Sequence, residues 1–196
     1  MGNLHDGHLS LIKLAKLNAS KIIVTIFVNP LQFGKNEDFN KYPRTEELDI
    51  EKLKKEGCNI LFIPRNIEEV FSKLEKIKAL NSGTLGSELC GKIRPGHFDG
   101  VLKVVYMLFE LTQPNFSVFG LKDFQQLYLI KQMAKKYFPK LKIISAPTIR
   151  TKNGLALSSR NSYLDESSMK IAPLFYKILL DGINNLNNSN NVQETI

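Results

Sequence analysis

The segment MGNLHDGH at residues 1–8 runs directly into LSLIKLAKL at residues 9–17. The second half repeats apolar side chains at helical spacing, so a helix is expected to begin where the first half ends. Two glycines, Gly2 and Gly7, and two histidines three residues apart, His5 and His8, then fall at a helix N-terminus. Such an end presents N–H groups without helical partners and a partial positive charge, which suits an anion such as a phosphate. Imidazoles at i and i+3 share one face there and can both donate to one phosphate chain. Two plainer readings stand beside this one. The pair could be zinc ligands, but His97, Cys58 and Cys90 are isolated in sequence and make a third and fourth ligand hard to find. The histidines could also be surface residues with no role.

Working outward, KIIVTIFV at 21–28 reads as a strand buried on both faces of a parallel sheet and stopped by Asn29 and Pro30. A polar loop carrying Gln32, Phe33, Asp38, Tyr42 and Arg44 follows. Thr45 reads as the N-cap of a helix with Glu46, Glu47 and Asp49 in its first turns and Gly57 at its end. A strand is expected at 59–63 and a short helix at 67–71. Residues 72–96 hold several glycines and read as loops with a short helix near 85–90. Then come an apolar helix over 101–111, a strand at 115–119, a helix at 124–137, a strand at 141–145, and a last helix at about 166–186. The Asn-rich tail from Asn187 is expected to fray. Strands alternating with helices predict an α/β fold, a parallel sheet with helices on both faces. Such folds bind ligands at the carboxyl ends of their strands.

Length and composition bound the function. The 196 residues fit one domain or one domain plus part of another, and 43% hydrophobic content excludes a wholly disordered chain. No apolar run is long enough to span a membrane and no secretory core opens the chain, so a cytoplasmic protein without membrane contact is expected. Two unrelated cysteines give no disulfide framework. The net charge of +8 fits nucleic acid, a membrane surface or phosphorylated small molecules. Because the lysines are spread along helices, most read as solvated faces, with a few recruited to an anion site and no nucleic-acid partner expected.

Four polar clusters lie at strand ends or in the loops beyond them. In the turn Gly120-Leu121-Lys122-Asp123, the glycine permits close backbone approach, Lys122 brings charge, and Asp123 can cap a helix or hold a ribose hydroxyl. Ser158, Ser159 and Arg160 offer two hydroxyls and a guanidinium for phosphate oxygens, or merely a capped polar loop. Gln32, in the cluster that starts at Asn29, and Gln126, beside Gln125, are neutral amides. They suit a hydroxy acid whose carboxylate must stay nucleophilic, although a lone glutamine is usually only surface polarity. Convergence of these clusters with the histidine turn predicts one composite site.

With these residues in view, the chain resembles the pantothenate synthetase (pantoate–β-alanine ligase) family. The matching stretches are MGNLHDGHL at 1–9, IFVNPLQF at 26–33, EDFNKYPRT at 37–45, RPGHFDGV at 94–101, FGLKDFQQL at 119–127 and GLALSSRN at 154–161. The resemblance implies a Rossmann-like nucleotidyltransferase domain over 1–150 and the start of a C-terminal lid over 151–196. It further implies an ATP- and magnesium-dependent ligase, a homodimer, and a two-step reaction through pantoyl adenylate. Position by position, it makes His8 the catalytic histidine. ATP falls to Met1, Gly2, Asn3, Leu4, His5, Asp6, Gly7 and His8, to Gly120, Leu121, Lys122 and Asp123, and to Ile149, Leu157, Ser158, Ser159 and Arg160. Pantoate falls to Gln32 and Gln126, and β-alanine to Gln32. A histidine pKa near neutrality would let His8 protonate the departing pyrophosphate.

Three departures accompany the resemblance. Leu121 stands where the family commonly has glutamate. The family continues past position 196 into a fuller C-terminal domain, and it carries a strand ahead of the histidine motif. A fragment or a start-truncated frame, folding poorly or weakly active, is therefore expected. The alternatives are another nucleotidylyltransferase with this histidine motif, an aminoacyl-tRNA synthetase fragment, or an inactive nucleotide-binding relic.

Overall fold

A computed structural model describes residues 2–71 and 80–189. Helix α1 spans Asp6–Lys16, and strand β1, Ile23–Thr25, pairs in parallel with β2, Ile60–Phe62. Between these strands lie a 3-10 turn, Pro30–Gln32, and helix α2, Glu46–Lys55. Helix α3, Ile67–Phe71, is followed by a 3-10 turn at Thr84–Ser87, then α4, Cys90–Ile93, and α5, His97–Thr112. Strand β3, Phe116–Gly120, leads into α6, Phe124–Tyr137, and pairs in parallel with β4, Lys142–Ala146. The chain closes with α7, Glu166–Ile171, and α8, Leu174–Ser189.

The parallel α/β pattern holds, and its detail differs from the sequence reading. Among the described residues the strands form two separate two-stranded pairs. The strand expected at 21–28 shortens to β1, Ile23–Thr25, and is not buried on both faces. Ile23 and its partner Ile60 are 37% and 54% exposed, so the face they share at the strand starts is uncovered. The single helix expected at 166–186 is two helices broken at Pro173, which has no N–H to give and whose ring crowds the preceding turn. Residues 72–79 and 190–196 of the expected loop region and tail lie outside the described residues.

Two cores hold the site in place. In the larger, α5 buries Phe98, Val101, Val104 and Met107 against Val70 and Phe71 of α3 and Ile130 and Met133 of α6. Ile130 is fully buried, so truncating it to alanine costs about 2–5 kcal/mol. The smaller core gathers Leu4, Ile12, Ile22, Ile26 and Leu53. It seats α1 and the loop before it on β1 and α2, while α1 also packs on β3 and β4. The histidine turn is thus fixed between the two strand pairs.

Candidate active site

His5 is the N-cap of α1. Its Nδ1 accepts from the Gly7 N–H at 3.1 Å, and the Nδ1 of His8 accepts from the His5 N–H at 3.3 Å. The two rings stack with centroids 4.0 Å apart. With both Nδ1 atoms accepting from backbone, the neutral rings carry their protons on Nε2. Two Nε2–H donors are therefore available for an anion. Glycine at position 7 leaves room for this arrangement, because a Cβ there would lie 2.9 Å from the His5 ring.

Neither imidazole is charged near neutrality. Burial, then the neighbouring His5, together with the charges of Lys122 and Lys52, push the His8 pKa down to about 3. Burial and Lys122 also lower that of His5. The near-neutral pKa considered for His8 is thus not that of the resting site. His8 starts as a neutral donor, and an arriving polyanion would raise its pKa.

The loop ahead of the histidines is gripped from α2. Asp49, completely buried, accepts from the Asn3 N–H at 2.8 Å, the Leu4 N–H at 2.7 Å and the Thr45 hydroxyl at 3.2 Å. Lys52 donates to the Leu4 carbonyl at 2.6 Å. The sequence reading made Asp49 a helix-dipole residue and passed over Lys52. Their i, i+3 spacing put both on one face of α2, but nothing in the sequence said which face meets the histidine loop. Asn3, held this way, adopts φ +53°.

The serine turn closes the other wall. Leu157 N–H donates to the Ile149 carbonyl at 2.9 Å, completing a turn whose Arg150 and Ala156 form an antiparallel bridge. The buried Ser159 hydroxyl donates to the Asn3 carbonyl at 3.0 Å, tying this turn to the histidine loop. Ser158 accepts from the Arg160 N–H at 3.2 Å and so caps the 3-10 helix Ser159–Tyr163, the plainer of its two readings. Arg160 is not free. Its Nε and Nη2 clasp Asp38 at 2.8 Å each, and this pairing holds the Asp38 carboxyl at about 2. A cleft of about 380 Å³ opens between the walls, lined by Asn3, Leu4, His5, Asp6, Lys52, Leu157, Ser158, Ser159 and Ser162. His5 and the serine turn therefore share one cavity, whose lining does not include His8, Gln32, Gln126, Lys122, Asp123 or Arg160. Met1 lies outside the described residues.

The glutamines divide. Gln32 ends the 3-10 turn after β1. The buried Asn29 donates to its Oε1 at 3.1 Å and to the Gly100 carbonyl at 3.0 Å, and the Gln32 amide NH2 has no hydrogen-bond partner among the described residues. His97 Nδ1–H donates to the Gln32 carbonyl at 2.8 Å, and Arg94, paired with Glu37, donates to it at 3.2 Å. Since His97 is committed here, it is no zinc ligand for the leading pair. No cluster of three or more His, Cys, Asp or Glu residues able to hold a metal exists among the described residues. Gln125, grouped with Gln126 in the sequence reading, is structural. It donates to the Leu85 and Glu88 carbonyls at 2.9 Å each and accepts from the Cys90 N–H at 3.1 Å. Lys122 donates to Asp123 at 3.1 Å, and Asp123 makes no side-chain cap for α6, contrary to one of its expected roles.

A parallel α/β scaffold with a histidine-capped helix start facing a hydroxyl-bearing turn defines a protein of the nucleotidyltransferase-like class. Similarity narrows it further. The family model described as pantoate-beta-alanine ligase matches residues 1–196, and the chain belongs to that family. It is 51% identical over 179 residues to the pantothenate synthetase of Psychrobacter cryohalolentis, covering 91% of this chain and 62% of that protein. It is 42% identical over 196 residues to the Acinetobacter baumannii pantothenate synthetase, covering 100% of this chain and 69% of that protein. The crystal structure of the Thermus thermophilus pantothenate synthetase matches with a TM-score of 0.93 at 39% identity, covering 100% of this chain and 70% of that one. A Francisella tularensis pantoate-beta-alanine ligase, solved in complex with beta-gamma ATP and beta-alanine, matches with a TM-score of 0.85 at 41% identity, covering 100% of this chain and 75% of that one. The chain thus spans about 62% of the length of its Psychrobacter relative. Family membership sets aside an aminoacyl-tRNA synthetase fragment and other histidine-motif nucleotidylyltransferases.

Proposed function

We propose that this chain carries the ATP- and pantoate-binding part of a pantoate–β-alanine ligase. In this reading the enzyme condenses (R)-pantoate with β-alanine through pantoyl adenylate and releases AMP and pyrophosphate. The observation that supports it best is the single cleft shared by His5 and the Ser158–Ser159 turn.

A pantoate carboxylate oxygen attacks the α-phosphorus of ATP, and the bond from that phosphorus to the bridging oxygen breaks to release pyrophosphate. The amine of β-alanine then attacks the acyl carbon of the mixed anhydride, expelling AMP. In-line phosphoryl transfer rests on positioning and charge neutralisation. The Nε2–H groups of His5 and His8, together with the Lys122 ammonium, supply donors to the triphosphate, with His8 the catalytic residue. Gly2, Asn3, Leu4, Asp6, Gly7, Gly120, Leu121, Asp123, Ile149, Leu157, Ser158 and Ser159 complete the ATP contacts. Arg160 joins them through the N–H groups its Asp38 pairing leaves over. The NH2 of Gln32, whose Oε1 is held by Asn29, and the amide of Gln126 have no hydrogen-bond partner among the described residues and orient pantoate without pairing its carboxylate to a cation. Gln32 also serves β-alanine.

Magnesium would enter with the triphosphate, as this ion usually does, keeping several waters and one or two carboxylates. Asp6, exposed on the cleft wall, fits that modest requirement. Family resemblance supports a division near residue 150, a cytoplasmic location and a homodimer. No helix among the described residues is long and apolar enough to cross a membrane.

The test is pantoate-dependent exchange of pyrophosphate into ATP, with AMP release that also needs β-alanine. His8→Ala should abolish the exchange while ATP still binds. ATP binding by the unaltered chain with no exchange at all would mark it as the nucleotide-binding relic instead.

A further inference from the structure

Lys52 is a half-buried cation on the cleft wall, and among the described residues no carboxylate pairs with it. Its two natural partners at helical spacing, Asp49 and the C-cap residue Glu56, are committed elsewhere. Asp49, one turn before it, is spent on the Asn3 and Leu4 N–H groups, and Glu56, one turn after it, pairs with Lys13 at 3.5 Å. The other two cations assigned to the site already have carboxylates, Arg160 with Asp38 and Lys122 with Asp123. Asp6, among the described residues the one carboxylate lining the same cleft, makes no ion pair with Lys52. An ammonium taken partly out of water without a counter-charge is unfavourable unless an anion arrives to meet it.

We propose that Lys52 binds the phosphate chain of the nucleotide, facing Ser158 and Ser159 across the cleft. This rests on the reading of the cleft as an ATP site. One of its three N–H donors is fixed on the Leu4 carbonyl at 2.6 Å, and that bond holds the ammonium beside His5. The remaining two are left for phosphate oxygens. Both histidines already feel its charge, which helps keep them neutral until the anion binds. Lys52 therefore joins the grip on the Leu4 peptide to the charge that neutralises the ligand.

The experiment is calorimetric titration of the whole chain with ATP, inorganic pyrophosphate and adenosine, each on the wild type, Lys52→Gln and Lys52→Arg. The glutamine amide can still donate to Leu4, so this variant removes charge while sparing the loop, and a thermal melt checks that it does. Lys52→Gln should weaken ATP and pyrophosphate about tenfold, the effect of one lost charge-assisted contact, and leave adenosine unchanged. Lys52→Arg should stay within about threefold of wild type, because the charge is kept. Wild-type ATP affinity in Lys52→Gln would overturn the proposal, as would an equal loss of ATP and adenosine binding. Wild-type protein that binds ATP no more tightly than adenosine would instead overturn the underlying reading of the cleft.

Discussion

The Leu4 N–H donates to the fully buried Asp49 carboxylate at 2.7 Å, across 45 residues of chain. Asp49→Ala strips two backbone N–H groups of their acceptor in a buried setting and should destabilise the fold by about 2–4 kcal/mol. Asp49→Asn retains one acceptor oxygen and should cost about half as much. Urea denaturation at neutral pH measures both. Equal stability of wild type and Asp49→Ala would show that the loop holds its shape without α2.

Acid should loosen the protein in two stages. The folded pKa values of His5 and His8 lie below the unfolded value of 6.5, that of His8 at about 3. The unfolded chain therefore binds more protons in that window, and stability falls as pH drops from about 6.5 toward 3. Asp38, held at about 2 against an ordinary 3.8, adds a second loss as pH falls below its ordinary value. Denaturation midpoints across this range follow both stages. Proton NMR should find the His8 ring untitrated between about pH 5 and 8 in the free protein and shifted upward when ATP is bound. A free-state midpoint near neutrality would contradict the geometry of the Nδ1 bonds.

Gly7→Ala separates stability from chemistry. Alanine favours the first turn of α1 by up to about 1 kcal/mol over glycine, so the melt should scarcely fall. The new Cβ would meet the His5 ring at 2.9 Å and turn it. Pyrophosphate exchange should then drop by at least about tenfold, since small misplacements at a reacting centre are expensive. Unchanged exchange would mean that the orientation of His5 is irrelevant.

The adjacent glutamines should respond oppositely. Gln125→Ala removes three hydrogen bonds between α6 and the 85–90 turn and should lower stability by about 1–3 kcal/mol with little change in pantoate KM. Gln126→Ala breaks no bond among the described residues and should raise pantoate KM while the melt stays put. The reverse pattern would exchange their roles.

Much of the scaffold was legible because the relevant physics is local. Helical spacing in 9–17 and 124–137, β-branched runs at 21–28 and 141–145, and the punctuation of Pro30 and Gly57 placed most elements to within a few residues. The break at Pro173 was legible too, and the sequence reading ran a helix through it. The burial of 21–28 was not legible, because whether a strand face is covered depends on which helix lies over it.

In the candidate site, the residue types and the meeting of the histidine loop with the serine turn could be read from the chain, but their commitments could not. A histidine pair at i, i+3 before an amphipathic helix, a serine turn and two neutral amides name an anion and a hydroxy acid by chemistry alone. Only the folded chain decides which groups remain free. It ties Arg160 to Asp38, Ser159 to the Asn3 carbonyl and Gln125 to the 85–90 turn, and among the described residues it leaves Lys52 without a carboxylate. Side-chain identity travels with the sequence, whereas hydrogen-bond partners far away along the chain are set by where the packed helices bring the backbone.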